Sequence, residues 1–387
     1  MMLYSISTTE NKGDATLQRI YLDYNASTPI ASEVAQVMTP FLSDYYGNPS
    51  TTHWAGKTAS QAYTLAKKQV ADLLGCDPEE VIFTSGGSEA NNHALKGVFW
   101  ALKEKGNHII TTQVEHPAII NPCKFLEKLG AKVTYVGVDR FGQVSPSDIE
   151  EALTLETILI SVMHANNEVG TIQPITDIAK IAKKYNVLVH TDAAQTVGKI
   201  PTKVDDLGVD LLSLAGHKLY APKGIGALYI RKGTPIEPLV HGAGHEGGRR
   251  AGTENILLSI GLGKAGELAA KSIGDTKTEK LRDYFWDKLK MCFAERIVLN
   301  GHPQERLPNT LSVSFIGKVG QDILESIPEL AASTGSACHS GIVHLSPVLK
   351  AMNVEEHVGK GTIRFSLGRY TIKEEIDDAI LLLQERI

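Results

Sequence analysis

The chain reads as an α/β protein: a large domain built on a mainly parallel sheet flanked by helices, followed by a smaller α+β unit. Three observations predict this. Short apolar, β-branched runs at 81–84, 108–113, 157–163, 187–189 and 209–214 alternate with helical stretches, the pattern of strands buried on both faces and joined by crossover helices. From about residue 296 strands and helices follow one another in a mixed order, as in a small α+β unit. Polar residues able to do chemistry stand just after several of the strand runs, and open α/β sheets bind ligands outside the carboxyl ends of their strands.

Size and composition bound the rest. With 387 residues there is room for one large domain and a second, smaller one. Hydrophobic content of 42% and charged content of 21% are those of an ordinary globular protein. A net charge of −5 without a long basic run argues against nucleic acid or a membrane surface as main partner. No apolar run is long enough to cross a bilayer, and residues 1–19 lack the apolar core of a signal peptide. A flexible N-terminal tail over 1–18 and a cytoplasmic location are expected. Cys76, Cys123, Cys292 and Cys338 are scattered without metal-type pairing, so no metal site is expected and a reducing compartment fits best.

Taken in order, residues 19–24 form a short strand, Asn25-Ala26-Ser27-Thr28-Pro29 a turn, and 32–45 a helix. A polar loop, Gly47 to His53, leads to an amphipathic helix over 56–74. Its apolar face carries Ala62, Leu65, Ala66, Val70 and Leu73, and Gly75 stops it. Strand 81–84 runs into Ser85-Gly86-Gly87-Ser88-Glu89, which opens a helix to about 105. Small residues at a helix start offer free N–H groups and a favourable dipole to a phosphate, although an ordinary capped helix looks similar. Strand 108–113 ends in Val114-Glu115-His116-Pro117. That places His116 at the same sheet edge, where its ring can stack on a pyridine or simply cap the helix over 117–129. Strand 132–138, helix 146–152 and strand 157–163 follow. The last ends in Asn166-Asn167-Glu168, two amides that suit a phenolic oxygen and a carboxylate, or a plain turn. Helix 176–185 leads to the central stretch.

There two strand ends deliver His190-Thr191-Asp192-Ala193-Ala194-Gln195 and Ser213-Leu214-Ala215-Gly216-His217-Lys218. A lysine at a buried strand end has a lowered pKa and can form a Schiff base with an aldehyde. A buried carboxylate beside it suits a pyridinium nitrogen. Lys218 with Asp192 is therefore the pair that pyridoxal phosphate (PLP) chemistry asks of a protein; a surface lysine and a helix cap are the ordinary readings of each alone. The glycine-rich stretch 241–255 brings Arg249, Arg250 and Thr253, which could reach a phosphate. A long helical region over 255–293 crosses to the second unit. That unit has strands at 296–299, 310–315, 330–333 and 362–367 and helices at 320–326, 347–352 and 371–386, the last with a capping box of Thr371 and Glu374. Cys338 lies in Ser336-Ala337-Cys338-His339-Ser340-Gly341, a polar loop of small residues in which a thiol can ionise and move. A nucleophilic thiol beside a PLP crevice suggests attack on a substrate sulfur.

The sequence resembles the PLP-dependent cysteine desulfurases of the NifS/IscS type, in the class V branch of fold type I aminotransferases. The likeness rests on Tyr21-Leu22-Asp23-Tyr24-Asn25-Ala26, Thr84-Ser85-Gly86-Gly87-Ser88-Glu89, Val114-Glu115-His116, Asn166-Asn167-Glu168, Asp192-Ala193-Ala194-Gln195, Gly216-His217-Lys218 and Ser336-Ala337-Cys338, and it runs from about Tyr21 to the final helix. The resemblance implies a seven-stranded sheet in a large PLP-binding domain over 31–264, and a small domain over 19–30 and 265–387 that carries the cysteine loop. It implies that Lys218 holds PLP, Asp192 its ring nitrogen and Gln195 its phenolic oxygen, with His116 stacked on the ring. Asn167 would lie near that oxygen and the substrate carboxylate, which Arg364 would clamp. Gly87, Ser88 and His217 would hold the phosphate, Thr253 would reach in from a second subunit of a homodimer, and Cys338 would carry a persulfide. L-cysteine is the implied substrate, L-alanine the product, and the sulfur acceptors are proteins such as an iron–sulfur scaffold or a thiolation factor. Two departures stand out. Ala215 replaces a serine common in the family two residues before the His-Lys pair, and Cys338-His339-Ser340 is closer to selenocysteine lyases, which share fold and cofactor. A selenocysteine lyase is the near alternative; a PLP-binding scaffold without turnover and a plain aminotransferase are the distant ones.

Overall fold

The structure, a computed structural model, describes residues 19–334, 336–339 and 342–387, the side chains of 336–339 and 342–344 excepted. The tail expected over 1–18 lies outside the described residues. Seven strands make the large sheet: β1 (Val81–Thr84), β2 (His108–Thr112), β3 (Lys132–Val136), β4 (Thr157–Ser161), β5 (Leu188–Asp192), β6 (Leu211–Ala215) and β7 (Gly226–Ile230). Their order is β1-β7-β6-β5-β4-β2-β3. All neighbours are parallel except that β7 runs antiparallel to both β1 and β6. β1 thus points the same way as β6, and six carboxyl ends (β1 to β6) share one edge.

The apolar runs are continuous because both faces of the sheet are covered. Ile110, Ile160, Val189, Leu212 and Tyr229 face a core shared with the Trp54–Leu74, Ile175–Lys184 and Ile256–Ser272 helices. The alternate residues Ile109, Leu159, Leu211, Leu228 and Ile230 face a second core under the Gly87–Leu102 and Pro117–Glu127 helices. Gly75 ends the first of these helices with φ of 74°, as its position predicts.

The second unit has its own antiparallel sheet of β8 (Ile297–Asn300), β9 (Thr310–Phe315), β10 (Ser333–Thr334) and β11 (Thr362–Ser366), ordered β10-β11-β9-β8. Its core joins Phe285, Leu289, Phe315, Phe365 and Leu383 with Ile20 and Leu22 from the start of the chain. Ile20–Tyr21 pairs with Leu330–Ala331, so the first strand closes on the end of the chain rather than on the large sheet.

Three local expectations are corrected. The helical region over 255–293 is two helices, Ile256–Ser272 and Lys277–Phe293. Ile273 is extended, Gly274 sits at φ 95°, and Asp275 Oδ1 accepts from Lys277 N–H, a start signal for the second helix. The final helix is Lys373–Arg386, and its start is two residues later than expected: Glu375 accepts from Ile372 N–H, while Thr371 Oγ1 accepts from Gly368 N–H. The stretch around Cys338, expected as a loop, is a two-stranded antiparallel ribbon in its backbone, Ser336–His339 against Ile342–Leu345. The Cys338 side chain lies outside the described residues.

Phe285 is fully buried and packs edge-to-face on Phe365 at 5.0 Å between ring centres. Phe285→Ala leaves a cavity in the small core and is expected to cost about 3–5 kcal/mol of stability by denaturant unfolding.

Candidate active site

Five strand ends deliver the side chains that line one cavity of about 430 Å³: Gly87 and Ser88 after β1, His116 after β2, Asn167 after β4, Asp192 and Gln195 at the end of β5, and His217 with Lys218 after β6. The small unit adds Arg364 from β11, and the turn after the first strand adds Asn25 and Ala26. A volume of this size suits a small-molecule ligand.

Lys218 Nζ donates to the carbonyls of Asn25, 2.5 Å, and Ala26, 2.7 Å. Burial, and next the Arg364 cation, pull its pKa from 10.5 down to about 8, against the opposing pull of Asp23 and Asp192. Asp192 is buried; its Oδ2 accepts from Asn91 Nδ2 at 2.6 Å and its Oδ1 from Ala194 N–H at 2.9 Å. His116 caps the Pro117–Glu127 helix, its Nδ1 accepting from Ala118 N–H at 3.1 Å, and lines the cavity as well. The capping reading thus holds, and the ring stands in the cavity wall. Desolvation lowers its pKa, with Asp192 opposing and Lys218 assisting.

At the β1 end of the cavity, Gly87 opens a 16-residue helix. A Cβ there would stand 3.2 Å from the Ala215 methyl, so a bare backbone at 87 is what lets the helix start approach β6. His217 Nδ1 is buried without a hydrogen-bond partner among the described residues, and burial drops that imidazole to about 4. Arg364 is 8% exposed; it donates to Asp23 Oδ1 at 2.7 Å and to the Asn167 carbonyl at 2.9 Å. Its Nε is buried without a partner among the described residues.

Other expected residues stand apart. Thr253 is exposed and does not line the cavity. Arg250 is bound to Glu89 at 2.9 Å and Arg249 to the Glu79 carbonyl at 3.3 Å, so neither reaches a phosphate from where it stands. Four contributors were not singled out from sequence: Asn91, which holds Asp192; Asp23, which holds Arg364; Glu115, buried, accepting from Met163 N–H and pushed up to about 8 chiefly by desolvation; and Lys199. Asn91 had a signal, since it lies one helical turn beyond Gly87 on the same face.

Residues 20–379 match the class V aminotransferase family. The chain is 50% identical over 375 residues to the cysteine desulfurase IscS of Dictyoglomus turgidum, covering 96% of this chain and 95% of that one. Cysteine desulfurase 2 of Trichormus variabilis is 49% identical over 367 residues, covering 94% and 92%. Among solved structures, a NifS-like protein superposes with a TM-score of 0.89 at 38% identity, covering 95% of this chain and 99% of that one.

If Lys218 is the depressed amine, its acylation by an amine-directed reagent in cofactor-free protein will rise with pH around a midpoint near 8. The neutral, reactive form gains above that midpoint. Arg364→Ala removes a cation and is expected to move the midpoint upward, read by mass analysis of the Lys218 peptide.

Proposed function

The chain belongs to the class V aminotransferases and, within them, to the NifS/IscS-like cysteine desulfurases, and on that footing we propose that it takes sulfur from L-cysteine with PLP held in the cavity just described. The enzyme is PLP-dependent, as its family is. The residues fit that cofactor. Lys218 is a desolvated amine, Asp192 a buried carboxylate on the neighbouring strand, and Gly87 with Ser88 a helix start open to an anion. His217 Nδ1, without a partner among the described residues, stands in the same wall. The observation that carries the reading is Lys218, since an amine whose pKa is near 8 is partly neutral at working pH and able to bond an aldehyde carbon.

When bound, PLP supplies an electron sink for the substrate α-carbon. Lys218 would hold it covalently, Asp192 would pair with its ring nitrogen, Gln195 and Asn167 would bond its phenolic oxygen, and His116 would cover the ring. Gly87, Ser88 and His217 would take its phosphate. Thr253 would complete that site from the second subunit of a homodimer. Ala215 provides no hydroxyl to the phosphate, so the helix start and His217 carry more of that contact.

Arg364 binds the carboxylate of L-cysteine through its planar guanidinium, geometry that a lysine lacks. Asp23 and the Asn167 carbonyl aim it. Lys218 Nζ then moves the α-proton, a role its lowered pKa suits. The Cys338 thiolate attacks the substrate sulfur. The C–S bond breaks, an S–S bond forms, and the β-carbon keeps the electron pair and takes a proton. L-alanine leaves, and Cys338 retains the persulfide for transfer to acceptor proteins, an iron–sulfur scaffold or a thiolation factor, in the cytoplasm. The ribbon bearing Cys338 belongs to a small domain over 19–30 and 265–387, set against a cofactor domain over 31–264. The separate cores support two domains, but the Ile256–Ser272 helix, Ala265 and Ala269 included, packs on the large core, which favours a boundary after that helix rather than at 264.

A single turnover with L-cysteine tests the reading. Wild-type protein should yield one persulfide on Cys338 per alanine. Cys338→Ser should bind PLP and cysteine yet release no sulfur, and Lys218→Ala should slow the α-proton step by roughly a hundredfold or more. Normal desulfuration by the Cys338→Ser protein would contradict the transfer. Turnover of selenocysteine alone would point to the lyase.

A further inference from the structure

Lys199 stands behind the site and the mechanism does not use it. It lies four residues after Gln195 in the turns that follow β5, and its amine is half-buried. Nζ donates to Gln195 Oε1 at 2.9 Å and to Asn25 Oδ1 at 3.2 Å. No carboxylate pairs with it among the described residues; its two bonds are to neutral amides. A desolvated cation in that state is costly and needs a reason.

The bonds have a directional consequence. As an ammonium Lys199 only donates, and with Nζ donating to it Gln195 turns its carbonyl oxygen to Lys199 and its NH₂ the other way. One of those N–H bonds goes to the Asn25 carbonyl at 3.0 Å, the same oxygen that takes Lys218 Nζ. The other remains available to the cavity that Gln195 lines. Asn25 is fixed in the same way: its Oδ1 takes Lys199 and Asn309, and its Nδ2 gives to Thr310 Oγ1 and the Asn167 carbonyl.

We propose that Lys199 is a positioning residue that acts through Gln195 and Asn25: it fixes Gln195 as a hydrogen-bond donor toward the cofactor and, while protonated, adds a positive charge near the Lys218 nitrogen. The proposal rests on PLP occupying the cavity as described above. A second cation close to Lys218 disfavours its protonation, and a fixed donor on the phenolic oxygen weakens that oxygen's hold on the same proton. Both lower the pH at which the cofactor-linked nitrogen loses its proton. The charged groups facing Lys199 are Lys218 and Arg364, with Asp23 beyond them against Arg364. On its other side a small polar cavity adds Tyr24, Tyr220, Asp275, Lys277 and Arg369. Burial first, then Lys218 and Arg364, bring the pKa of Lys199 itself down to about 7.

The test is the pH titration of the visible absorbance of cofactor-loaded protein, with cofactor content and thermal melting measured alongside. Lys199→Met removes charge and donor and should raise the midpoint by about one unit or more, a tenfold change in proton affinity. Lys199→Gln keeps a donor without the charge and should shift it by roughly half as much. In a Gln195→Leu background the methionine change should add clearly less than it does alone, because part of its effect passes through that amide. A folded, loaded Lys199→Met protein with an unmoved midpoint overturns the proposal, as does a full, additive shift in the Gln195→Leu background. Should the methionine protein not fold, an unmoved Lys199→Gln protein overturns it alone. A wild-type chain that takes up no cofactor would instead sink the reading on which the proposal rests.

Discussion

Asn25 is the joint on which the site depends. It sits in a turn between a strand of the small sheet region and the first helix, and nearly every polar atom it owns is used. Its N–H binds Ser366 Oγ, its side chain binds Thr310, Asn309, Asn167 and Lys199, and its carbonyl accepts from Gln195 and Lys218. The bonds to Ser366, Asn309 and Thr310 belong to the small unit; those to Asn167, Gln195, Lys199 and Lys218 belong to the large one. A single 1%-exposed side chain and its peptide unit therefore set the small unit against the strand ends of the large sheet. Arg364 then falls opposite Lys218 across one cavity.

That arrangement explains the electrostatics. Lys199, Lys218 and Arg364 bring three basic groups into poorly solvated space, balanced by Asp23 against Arg364 and by Asp192 on the next strand. Desolvation is the largest cause of the shift at Lys218, Lys199, His116 and His217, and in every case it favours the neutral form. The site thus lowers the proton affinity of its nitrogen bases while holding a carboxylate-binding guanidinium that does not titrate. Such a field suits an anionic, aromatic cofactor and an amino-acid substrate.

Much of this was legible in the sequence. Strand ends announce themselves, because an apolar run followed by Asp192 or Lys218 leaves the charged residue at the sheet edge with few other places to be. The same logic found His116, Asn167 and His217. What was not legible are residues whose meaning depends on distant partners. Asn25 reads as a turn former, and its partner Ser366 is 341 positions away. Lys199 sits in the connecting segment after Gln195 and carries no signal until the fold closes over it. Arg249 and Arg250 looked free to reach a phosphate, yet Glu89 and the Glu79 carbonyl hold them elsewhere. The ribbon around Cys338 was hidden by small residues that favour loops, because strand pairing there is decided by the partner segment, not by local propensity.

The central claim is that Lys218, among the chain's lysines, is the amine set to carry PLP. Loading the protein with PLP, trapping the linkage by reduction and mapping the modified peptides tests it directly. The account predicts one pyridoxyl group per chain, on Lys218. Modification of Lys199 instead, or spread over surface lysines with Lys218 untouched, would contradict it.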